Sequence, residues 1–478
     1  MEHYDLVCIG SGPAGQKAAT QAGRFGHRVA VVEREVRPGA AMVSAPTIAS
    51  KALRETALLR WALRRRPIPG TEHTPARDLP IHKLIAQRYR IQYQEHDRIE
   101  TAFDRDRIEI YRGHGRIIDP HTVSVEAVDG TDTRIAASHI LIATGSSPVR
   151  PDYVPFEHTN VVDADGILEL AHLPASVVIV GGGVIGCEYA CMLSEIGSSV
   201  TLIDPRAQLL GFLDSECRDH LVRAMTDAGI EIRLNTRVTT ITPPDDSSVC
   251  VRLDDGEELT CEALLWAAGR SSNTTDIGLE NVGIETGRRG LILVNKRYQT
   301  KIPNIYAAGD SIGFPALAAT SMEQGRIAAC GMFGIDFKKK LADTLPISIY
   351  TIPAVSMVGM THKQAQEAGR DTVVGRAAYR NNSRGRMLGD EEGLVKCVFD
   401  TRSRRLLGAT IVGHEATELI HLAQFIIGFE GGINDFIDAC FNYPSLAELY
   451  KHAAYDALGS IAIRQDRRGR SDERAQAA

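Results

Sequence analysis

The sequence has few aromatic residues, no long apolar run and no excess of charge of one sign. Aromatic residues make up 6% of the 478 residues, while hydrophobic residues make up 44% and charged residues 24%. These fractions are ordinary for globular chains and exclude collagen-like, coiled-coil and fully disordered classes. The longest apolar stretches, such as residues 177–185, contain glycines and fall far short of the roughly 20 residues that a membrane-spanning helix needs. We therefore expect a globular protein of about three domains and no association with a membrane.

Charge and cysteine content narrow the expectation further. The 54 basic and 60 acidic residues leave a net charge of −6, so no basic field favours nucleic acid. An arginine run at residues 60–66 is expected to be a solvated helix face. The nine cysteines are scattered, and the chain begins directly in a predicted strand without a signal segment, which predicts reduced thiols and a cytoplasmic location. Cys187 and Cys191 lie one helical turn apart, but no second pair completes a zinc site, so no metal is expected.

One sequence device occurs twice: a strand, a glycine-rich turn, an alanine-rich or apolar helix, and a second strand that ends in an acid. The first copy spans residues 5–33 and the second spans residues 177–204. In both copies the acid follows the first glycine by 23 residues. The glycines and acids are Gly10, Gly12, Gly15 and Glu33 in the first copy and Gly181, Gly183, Gly186 and Asp204 in the second.

Because each glycine motif lies between a strand and a helix and is followed by an acid at the same spacing, it is typical of a dinucleotide-binding fingerprint. The first glycine permits the tight turn, the second lets the backbone approach a pyrophosphate, and the third lets helix and strand pack closely. The pyrophosphate meets the free N–H groups at the helix N-terminus, and the acid accepts hydrogen bonds from a ribose. Asp204 suits the free hydroxyls of NAD, whereas Arg206 could contact the 2′-phosphate of NADP. The sequence therefore predicts two dinucleotide sites.

Two more strand ends are candidates for contact with a cofactor. The strand that ends at Ala143, Thr144 and Gly145 closes on small residues, and the strand before Gly309 closes on Asp310, an acid that could hold a polyol chain. Gly115 has a similar setting, although an ordinary turn explains it almost as well.

These motifs, in this order, resemble the two-dinucleotide flavoprotein disulfide reductases over about residues 3–460. The resemblance implies FAD at the first fingerprint, NAD(H) or NADP(H) at the second, and Asp310 on the flavin ribityl chain. It also implies cofactor contacts from Gly269, Arg270 and Ala318. In that family the redox disulfide is a CxxxxC pair, but Met42 and Thr47 occupy its two positions here. Tyr443 likewise stands where the partner subunit's catalytic histidine is found.

Both replacements are similar to the pattern of soluble pyridine nucleotide transhydrogenases. The sequence has TIASKALR at residues 47–54 and FNYP at residues 441–444, where that group has TIPSKALR and FNYP. Several departures remain: Met42, Pro46, Ala49 and Ala354 differ from the expected cysteine, glycine, proline and acid. The resemblance implies that Lys51 lies against the flavin and pairs with Glu188. It also implies a homodimer in which Tyr443 and Glu448 of one chain face the other chain's flavin pocket.

The expected function is hydride transfer between NADPH and NAD⁺ through FAD, with the two nicotinamides alternating at one site. An NAD(P)H oxidase or a quinone or dye reductase is the first alternative, a catalytically degenerate flavoprotein is the second, and a disulfide reductase is the third. The expected fold class is α/β, with two Rossmann-like dinucleotide domains and a C-terminal α+β dimerisation domain. The expected ranges are 1–155 with 274–345 for FAD, 156–273 for NAD(P), 346–463 for dimerisation, and 464–478 for a disordered tail.

Overall fold

A computed structural model describes residues 1–43, 46–66, 86–336 and 338–476 of the chain, with the backbone alone described at 41, 46, 86–88 and 466–476. None of the helices in these ranges is both long and apolar enough to cross a bilayer. The α-helices are α1 (Pro13–Arg24), α2 (Ala40–Val43), α3 (Pro46–Arg65), α4 (Ala86–Arg105), α5 (Val184–Ile196), α6 (Ser215–Asp227), α7 (Ala318–Phe333), α8 (His362–Glu367), α9 (Ser383–Leu388), α10 (Ala416–Gly428), α11 (Ile433–Asp438) and α12 (Glu448–Gln476).

The first sheet carries the first glycine-rich turn. Its strands are β1 (Glu2–Ile9), β2 (Val29–Glu33), β3 (Glu109–Arg112), β4 (His114–Asp119), β5 (Thr122–Glu126), β6 (Asp132–Ile142) and β17 (Ile305–Ala307). The order is β3-β2-β1-β6-β5-β4, and β17 pairs in parallel with the C-terminal end of β6. The chain therefore leaves this sheet after β6 and returns to it at β17.

Small residues bring α1 against its neighbours. Ala14, Ala18 and Ala22 are buried on the face of α1 that packs on the sheet. On the other side, a Cβ added to Gly325 of α7 would collide with the Ala14 carbonyl. The two helix backbones are thus in direct contact, and the N-terminus of α1 is fixed at the carboxyl end of β1.

The second sheet repeats this plan, which confirms the prediction of two dinucleotide-binding folds. Its parallel strands are β8 (Val161–Asp163), β9 (Ser176–Val180), β10 (Ser199–Asp204), β11 (Glu231–Leu234) and β15 (Ala263–Trp266), in the order β11-β10-β9-β15-β8. The antiparallel strands β12 (Val238–Asp245), β13 (Ser248–Leu253) and β14 (Glu258–Cys261) form a separate sheet beside them. The short strands β7 (Ser146–Pro148) and β16 (Arg270–Ser272) pair with each other and join the two domains.

The C-terminal domain is an antiparallel sheet covered by helices. Its strands are β18 (Ile347–Ile349), β19 (Val355–Gly359), β20 (Thr372–Ala378), β21 (Leu394–Asp400) and β22 (Leu406–Val412), in the order β18-β19-β22-β21-β20. The helix α12 packs so closely on β20 that a Cβ on Gly375 would collide with the Ala453 carbonyl. This domain has the α+β character that the sequence predicts.

A buried ion pair fastens the second dinucleotide domain to the C-terminal domain. Lys396 of β21 lies 2.8 and 2.9 Å from the two carboxylate oxygens of Asp214 and is 5% exposed. Asp214 also caps α6, because it accepts hydrogen bonds from the backbone N–H groups of Glu216 and Cys217. A half-buried pair between Glu216 and Arg376, at 2.8 Å, lies next to it.

Two expectations differ from the structure. The arginines of the 60–66 run are not merely solvated: Arg60 donates to the Glu195 carbonyl at 3.1 Å, Arg64 pairs with the Glu195 carboxylate, and Arg65 donates to the Gly389 carbonyl at 3.1 Å. The helix α12 continues through the segment 464–476, where the sequence predicts disorder. The reason is that this segment extends a helix already packed through Ile461, and its arginine, glutamate and alanine residues favour helical backbone.

Candidate functional site

The three glycines of the first turn each meet a different requirement. Gly10 has a φ of +106°, and a Cβ there would meet the Ala143 carbonyl. A Cβ on Gly15 would collide with the Gly10 carbonyl, so this position closes the contact between strand and helix. At Gly12 the nearest atom to an added Cβ is 3.7 Å away, at Ala40, so the turn is open on the side where a pyrophosphate approaches. These residues fit a dinucleotide.

The second turn has the same geometry. Gly181 has a φ of +114°, and a Cβ built on it would lie 2.6 Å from the Ala267 carbonyl oxygen. A Cβ on Gly186 would collide with the Gly181 carbonyl. No atom of the described residues lies within 4 Å of a Cβ built on Gly183. In the strand order, β10 and β11 lie on one side of β9, whereas β15 and β8 lie on its other side. The carboxyl ends of strands at such a switch in strand order are where open α/β sheets bind ligands.

The two acids at the second strand ends are buried and already hold the turns in place. Glu33 is 4% exposed and accepts from the Ser11 N–H at 2.9 Å, the Ser11 hydroxyl at 2.5 Å and the Glu35 N–H at 2.9 Å. Asp204 is 2% exposed and accepts from the Gly182 N–H at 2.5 Å. Each carboxylate thus accepts a hydrogen bond from the backbone of its own glycine turn.

Arg206 lies on Asp204. Its Nε is 2.8 Å from Asp204 Oδ1 and its Nη2 is 2.6 Å from Oδ2, while its side chain remains 56% exposed. Burial alone would raise the pKa of the Asp204 carboxyl, but the hydrogen bonds from Arg206 and Gly182 lower that pKa below its ordinary value. The rim of the second site therefore carries a carboxylate and a guanidinium in direct contact.

Lys51 and Glu188 meet where the two dinucleotide domains and the C-terminal domain come together. Lys51 Nζ lies 2.8 Å from Glu188 Oε2, and the other carboxylate oxygen accepts from the Tyr350 N–H at 2.8 Å. The Lys51 ammonium also lies 4.9 Å from the Tyr350 ring centre. Glu188 is buried, whereas the Lys51 side chain is 33% exposed. The structure thus brings together the lysine and glutamate that the sequence pairs by resemblance.

Arg54 and Tyr350 complete this junction, although neither residue is predicted from the sequence to belong to the site. Arg54 is buried and its Nε donates to the Tyr350 carbonyl at 2.9 Å. Burial raises the pKa of the Tyr350 hydroxyl. The available signal was the spacing: Arg54 lies three residues after Lys51, which places both side chains on one side of α3.

The strand ends near Asp310 form a second cluster. Asp310 accepts from the Ser146 hydroxyl at 2.7 Å, and Arg270 donates to the same hydroxyl at 2.9 Å. The Gly309 N–H donates to Gln324 at 2.8 Å. The buried hydroxyl of Thr144 has no hydrogen-bond partner among the described residues. Cluster members and neighbours predicted from the sequence are Ala143, Thr144, Gly145, Arg270, Gly309, Asp310 and, at the start of α7, Ala318.

Gly115 and Gly269 are placed by packing. A Cβ on Gly115 would lie 3.0 Å from side-chain carbons of Ile9 and of Val32, so this glycine lets β4 lie against the ends of β1 and β2. Gly269 has a φ of +120° and follows β15. Its Cβ direction faces the guanidinium of Arg289.

Tyr443 and Glu448 are not part of the Lys51 cluster within one chain. The Tyr443 hydroxyl lies 2.8 Å from the Ser383 hydroxyl on the C-terminal domain, and the residue is 73% exposed. Glu448 begins α12 and is half-buried. In the described ranges, no hydrogen bond or ion pair joins either residue to Lys51 or Glu188.

The described cysteines near this junction cannot supply a thiolate. Burial raises the pKa of Cys191 to about 12 and that of Cys187 well above its ordinary value. All nine cysteines are free, and Cys440 is the exposed one. Met42 packs beside the first-domain core and Thr47 is exposed, while the side chain of Pro46 lies outside the described residues. In the described part, the site has charge and hydrogen-bond donors but no reactive thiol.

Two nucleotide folds joined by an ion pair, together with a separate antiparallel domain, define a class of flavoprotein reductases. The chain belongs to the pyridine nucleotide-disulphide oxidoreductase family. It matches the sequence model of that family over residues 4–325 and the model of the family's dimerisation domain over residues 345–454.

Curated relatives make the comparison more particular. The chain is 40% identical to the soluble pyridine nucleotide transhydrogenase of Mycobacterium bovis (strain BCG / Pasteur 1173P2) over 470 residues, which cover 98% of this chain and 100% of that relative. It is 38% identical to the protein of the same name from Marinomonas sp., with 96% and 99% covered. Among solved structures, the HOCl-induced flavoprotein disulfide reductase RclA from Escherichia coli has a TM-score of 0.85 at 27% identity, with 95% of this chain and 99% of that chain covered.

Proposed function

We propose that this chain is an FAD-dependent transhydrogenase that transfers a hydride between NADPH and NAD⁺. The observation that carries the proposal is the Lys51–Glu188 ion pair, which joins the two dinucleotide domains where Met42 and Thr47 leave no dithiol. Without a thiol relay, a reductant at the second site has no sulfur to reduce. The identity of 36–40% to curated soluble transhydrogenases over nearly the whole chain supports the same function.

The first site fits FAD. The open side of Gly12 and the N-terminus of α1 receive the pyrophosphate, and Glu33 accepts from the adenosine ribose. Asp310 accepts from the ribityl hydroxyls, which favours a flavin dinucleotide over FMN because FMN lacks the adenosine that Glu33 would hold. When bound there, FAD supplies the chemistry of accepting a hydride from one nicotinamide and giving it to the next.

The residues of this chain supply charge and position. In this proposal Lys51 presents its ammonium to the flavin edge, where a cation favours negative charge. Glu188 holds Lys51 in place, and the Tyr350 N–H fixes the orientation of the Glu188 carboxylate. The buried Arg54 in turn holds the carbonyl of Tyr350. Lys51 is thus a catalytic residue and Glu188 is a positioning residue.

The second site receives both nicotinamide nucleotides in turn. Asp204 suits the 2′-hydroxyl of NAD(H), and the guanidinium of Arg206 suits the 2′-phosphate of NADP(H). Arg206 lies on Asp204, so contact with a 2′-phosphate would require Arg206 to exchange one anion for another. A transhydrogenase needs this double acceptance, since one site serves an NADP(H) and an NAD(H) molecule alternately.

The working unit in this proposal is a homodimer. The matched dimerisation domain supports it. The helix α10 and its C-cap residue Phe429 expose Leu422, Phe425 and Phe429 at i, i+3 and i+7, with the two phenylalanine rings stacked 6.3 Å apart. An apolar stripe of this kind marks a protein interface. Across it, the exposed Tyr443 and the half-buried Glu448 of one chain would line the flavin pocket of the other.

A single anaerobic assay tests the function. Purified holoenzyme is mixed with NADPH and a thio-NAD⁺ analogue, and reduction of the analogue is followed by its absorbance. Steady reduction is expected. Oxygen consumption in a parallel aerobic assay, or reduction of a quinone added in place of the analogue, without reduction of the analogue would instead identify an oxidase or a quinone reductase. No turnover with any acceptor would identify a degenerate flavoprotein. We also propose a cytoplasmic location, because the curated relatives are named soluble transhydrogenases.

A further inference from the structure

Arg289 has a backbone conformation that its side chain does not favour. It lies in a tight turn closed by hydrogen bonds from the Gly287 N–H to the Leu291 carbonyl at 2.8 Å and from the Gly290 N–H to the Gly287 carbonyl at 3.1 Å. Its φ is 60° and its ψ is 26°. This left-handed region suits glycine and costs free energy for a residue with a Cβ. Such strain at a side chain that could be glycine points to a use for that side chain.

The guanidinium of Arg289 lies flat against Gly269. A methyl group placed on Gly269 would be 3.2 Å from Arg289 Nη2 and 3.4 Å from Nη1. Gly269 follows β15, and the preceding Ala267 carbonyl abuts Gly181, the first glycine of the second fingerprint. Arg289 therefore lies beyond the carboxyl end of β15, beside the loop that abuts the second glycine turn.

The turn is anchored on the flavin side of that space. Ile292, just after the turn, donates its N–H to the Ser311 carbonyl at 2.9 Å, next to Asp310. The Thr274 hydroxyl donates to the Gly290 carbonyl at 2.8 Å and holds the other side of the turn. The turn is thus tied to the strand end beside Asp310, while the guanidinium of Arg289 lies at Gly269 after β15.

The charge of Arg289 is not neutralised. Among the described residues, no carboxylate forms an ion pair or a hydrogen bond with its guanidinium. Two acids, Asp276 and Glu280, line the same cavity of about 470 Å³, but Glu280 pairs with Arg116 at 2.9 Å instead. An exposed guanidinium without a carboxylate partner is suited to bind an anion from solution, and arginine binds phosphate oxygens well.

We propose that Arg289 binds the pyrophosphate of the nicotinamide dinucleotide on its nicotinamide side. The inference rests on the proposed function only for the identity of the nucleotide. Because NAD(H) and NADP(H) share this pyrophosphate, Arg289 acts on both equally, whereas Arg206 selects between them. Arg289 is therefore a binding residue that draws the nicotinamide half toward the flavin.

Equilibrium titration of the FAD-loaded protein tests the proposal without turnover. ADP-ribose carries the whole pyrophosphate, while AMP carries only the adenosine-side phosphate. Arg289→Gly is expected to weaken ADP-ribose about tenfold, the effect of one charge-assisted hydrogen bond at a partly exposed site, and to leave AMP unchanged. Arg289→Lys should recover part of the affinity. Arg288→Ala, which removes the preceding exposed arginine, is the matched control and should bind ADP-ribose as the wild type does.

The melting temperature distinguishes binding from structure. Glycine adopts a φ of 60° freely, so Arg289→Gly should melt at the wild-type temperature or above it and should keep its flavin. Unchanged ADP-ribose affinity in Arg289→Gly, equal weakening in Arg288→Ala, or a lower melting temperature with flavin loss would each overturn the proposal. If the wild type lacks transhydrogenase activity, the proposed function fails, but the ADP-ribose titration still decides the role of Arg289.

Discussion

Lys51 Nζ lies 2.8 Å from Glu188 Oε2, so one ion pair crosses the boundary between the two dinucleotide-binding domains. Glu188 is buried and its second oxygen is held by a backbone N–H of a third segment, at Tyr350. The ammonium is therefore fixed by the fold rather than by a mobile surface partner. In the proposed function, a lysine fixed in this way keeps its orientation toward the flavin from one turnover to the next.

Replacement of Glu188 tests this positioning. Glu188→Gln keeps the size and one acceptor for the Tyr350 N–H but removes the charge that holds Lys51. We expect the rate of flavin reduction by NADPH to fall about tenfold in stopped-flow measurements, with the flavin still bound. The redox potential of the flavin should fall as well, because a mobile lysine stabilises the reduced anion less. Unchanged rate and potential would show that the pair only joins the domains.

Nucleotide choice should respond to the Asp204–Arg206 pair in opposite directions. Arg206→Ala removes the contact to the 2′-phosphate and should raise KM for NADPH about tenfold with little change for NADH. Asp204→Asn removes the negative charge and one of the two acceptor oxygens for the ribose hydroxyls, and it should raise KM for NADH while favouring NADPH. Steady-state kinetics with each nucleotide checks both. Equal effects of Arg206→Ala on the two nucleotides would contradict the assignment.

Turnover should not require a thiol. Burial raises the pKa of Cys187 and of Cys191 and keeps both thiols protonated. The exposed Cys440 is replaced by serine in this test, because it lies three residues before Tyr443. Treatment with iodoacetamide should therefore leave transhydrogenation within about twofold of the untreated enzyme. Reduction should bleach the flavin without a thiolate–flavin absorbance band, and lipoamide should not be reduced. Clear lipoamide reductase activity would contradict this prediction.

The exposed apolar stripe of α10 should control dimerisation. Phe429→Asp places a charge on a ring that is 81% exposed in the single chain, so we expect a shift from dimer to monomer in sedimentation velocity. Val128→Asp is the matched control, because Val128 is 99% exposed on the first domain. A dimer that survives Phe429→Asp, or equal dissociation in Val128→Asp, would place the interface elsewhere.

Stability should fall in acid through Glu216. Burial alone would raise the pKa of this carboxyl, but hydrogen bonds from Arg376 and Lys396 lower it from 4.5 to about 2. A carboxyl with a lowered pKa stabilises the fold above its unfolded value, and that stabilisation is lost as the pH falls from about 4.5 toward 2. Melting temperatures across this range should drop less steeply in Glu216→Gln than in the wild type. Parallel pH profiles would contradict the assignment.

The glycine turns could be predicted from the sequence because each glycine answers a local requirement of backbone and ligand. The pairing of Lys51 with Glu188 could be predicted only through the resemblance, since 137 residues separate the two. The bonds of Arg60, Arg64 and Arg65 to residues 195 and 389 could not be read from their spacing. Helical periodicity describes which side of a helix a residue occupies, not which domain packs on that side.

Other differences have similar causes. Composition at the C-terminus indicates disorder for an isolated segment, but α12 starts in a packed domain and its helix continues without a new nucleation step. The proposed place of Tyr443 at the flavin pocket depends on a second chain, and within one chain the residue is exposed. The role of Arg289 depends on a left-handed turn that the arginine–glycine pair at 289–290 only suggests.

The buried pair of Lys396 and Asp214 has a consequence for how one nucleotide replaces another. Swinging the second dinucleotide domain outward would break this pair and would also expose the apolar core that this domain shares with the C-terminal domain, so we expect the domain to stay in place during turnover. The product nucleotide then leaves, and the next nucleotide binds, without movement of the domain. In the proposed function, side chains at the rim of the second site, such as Arg206 and Arg289, then determine the rate of nucleotide exchange.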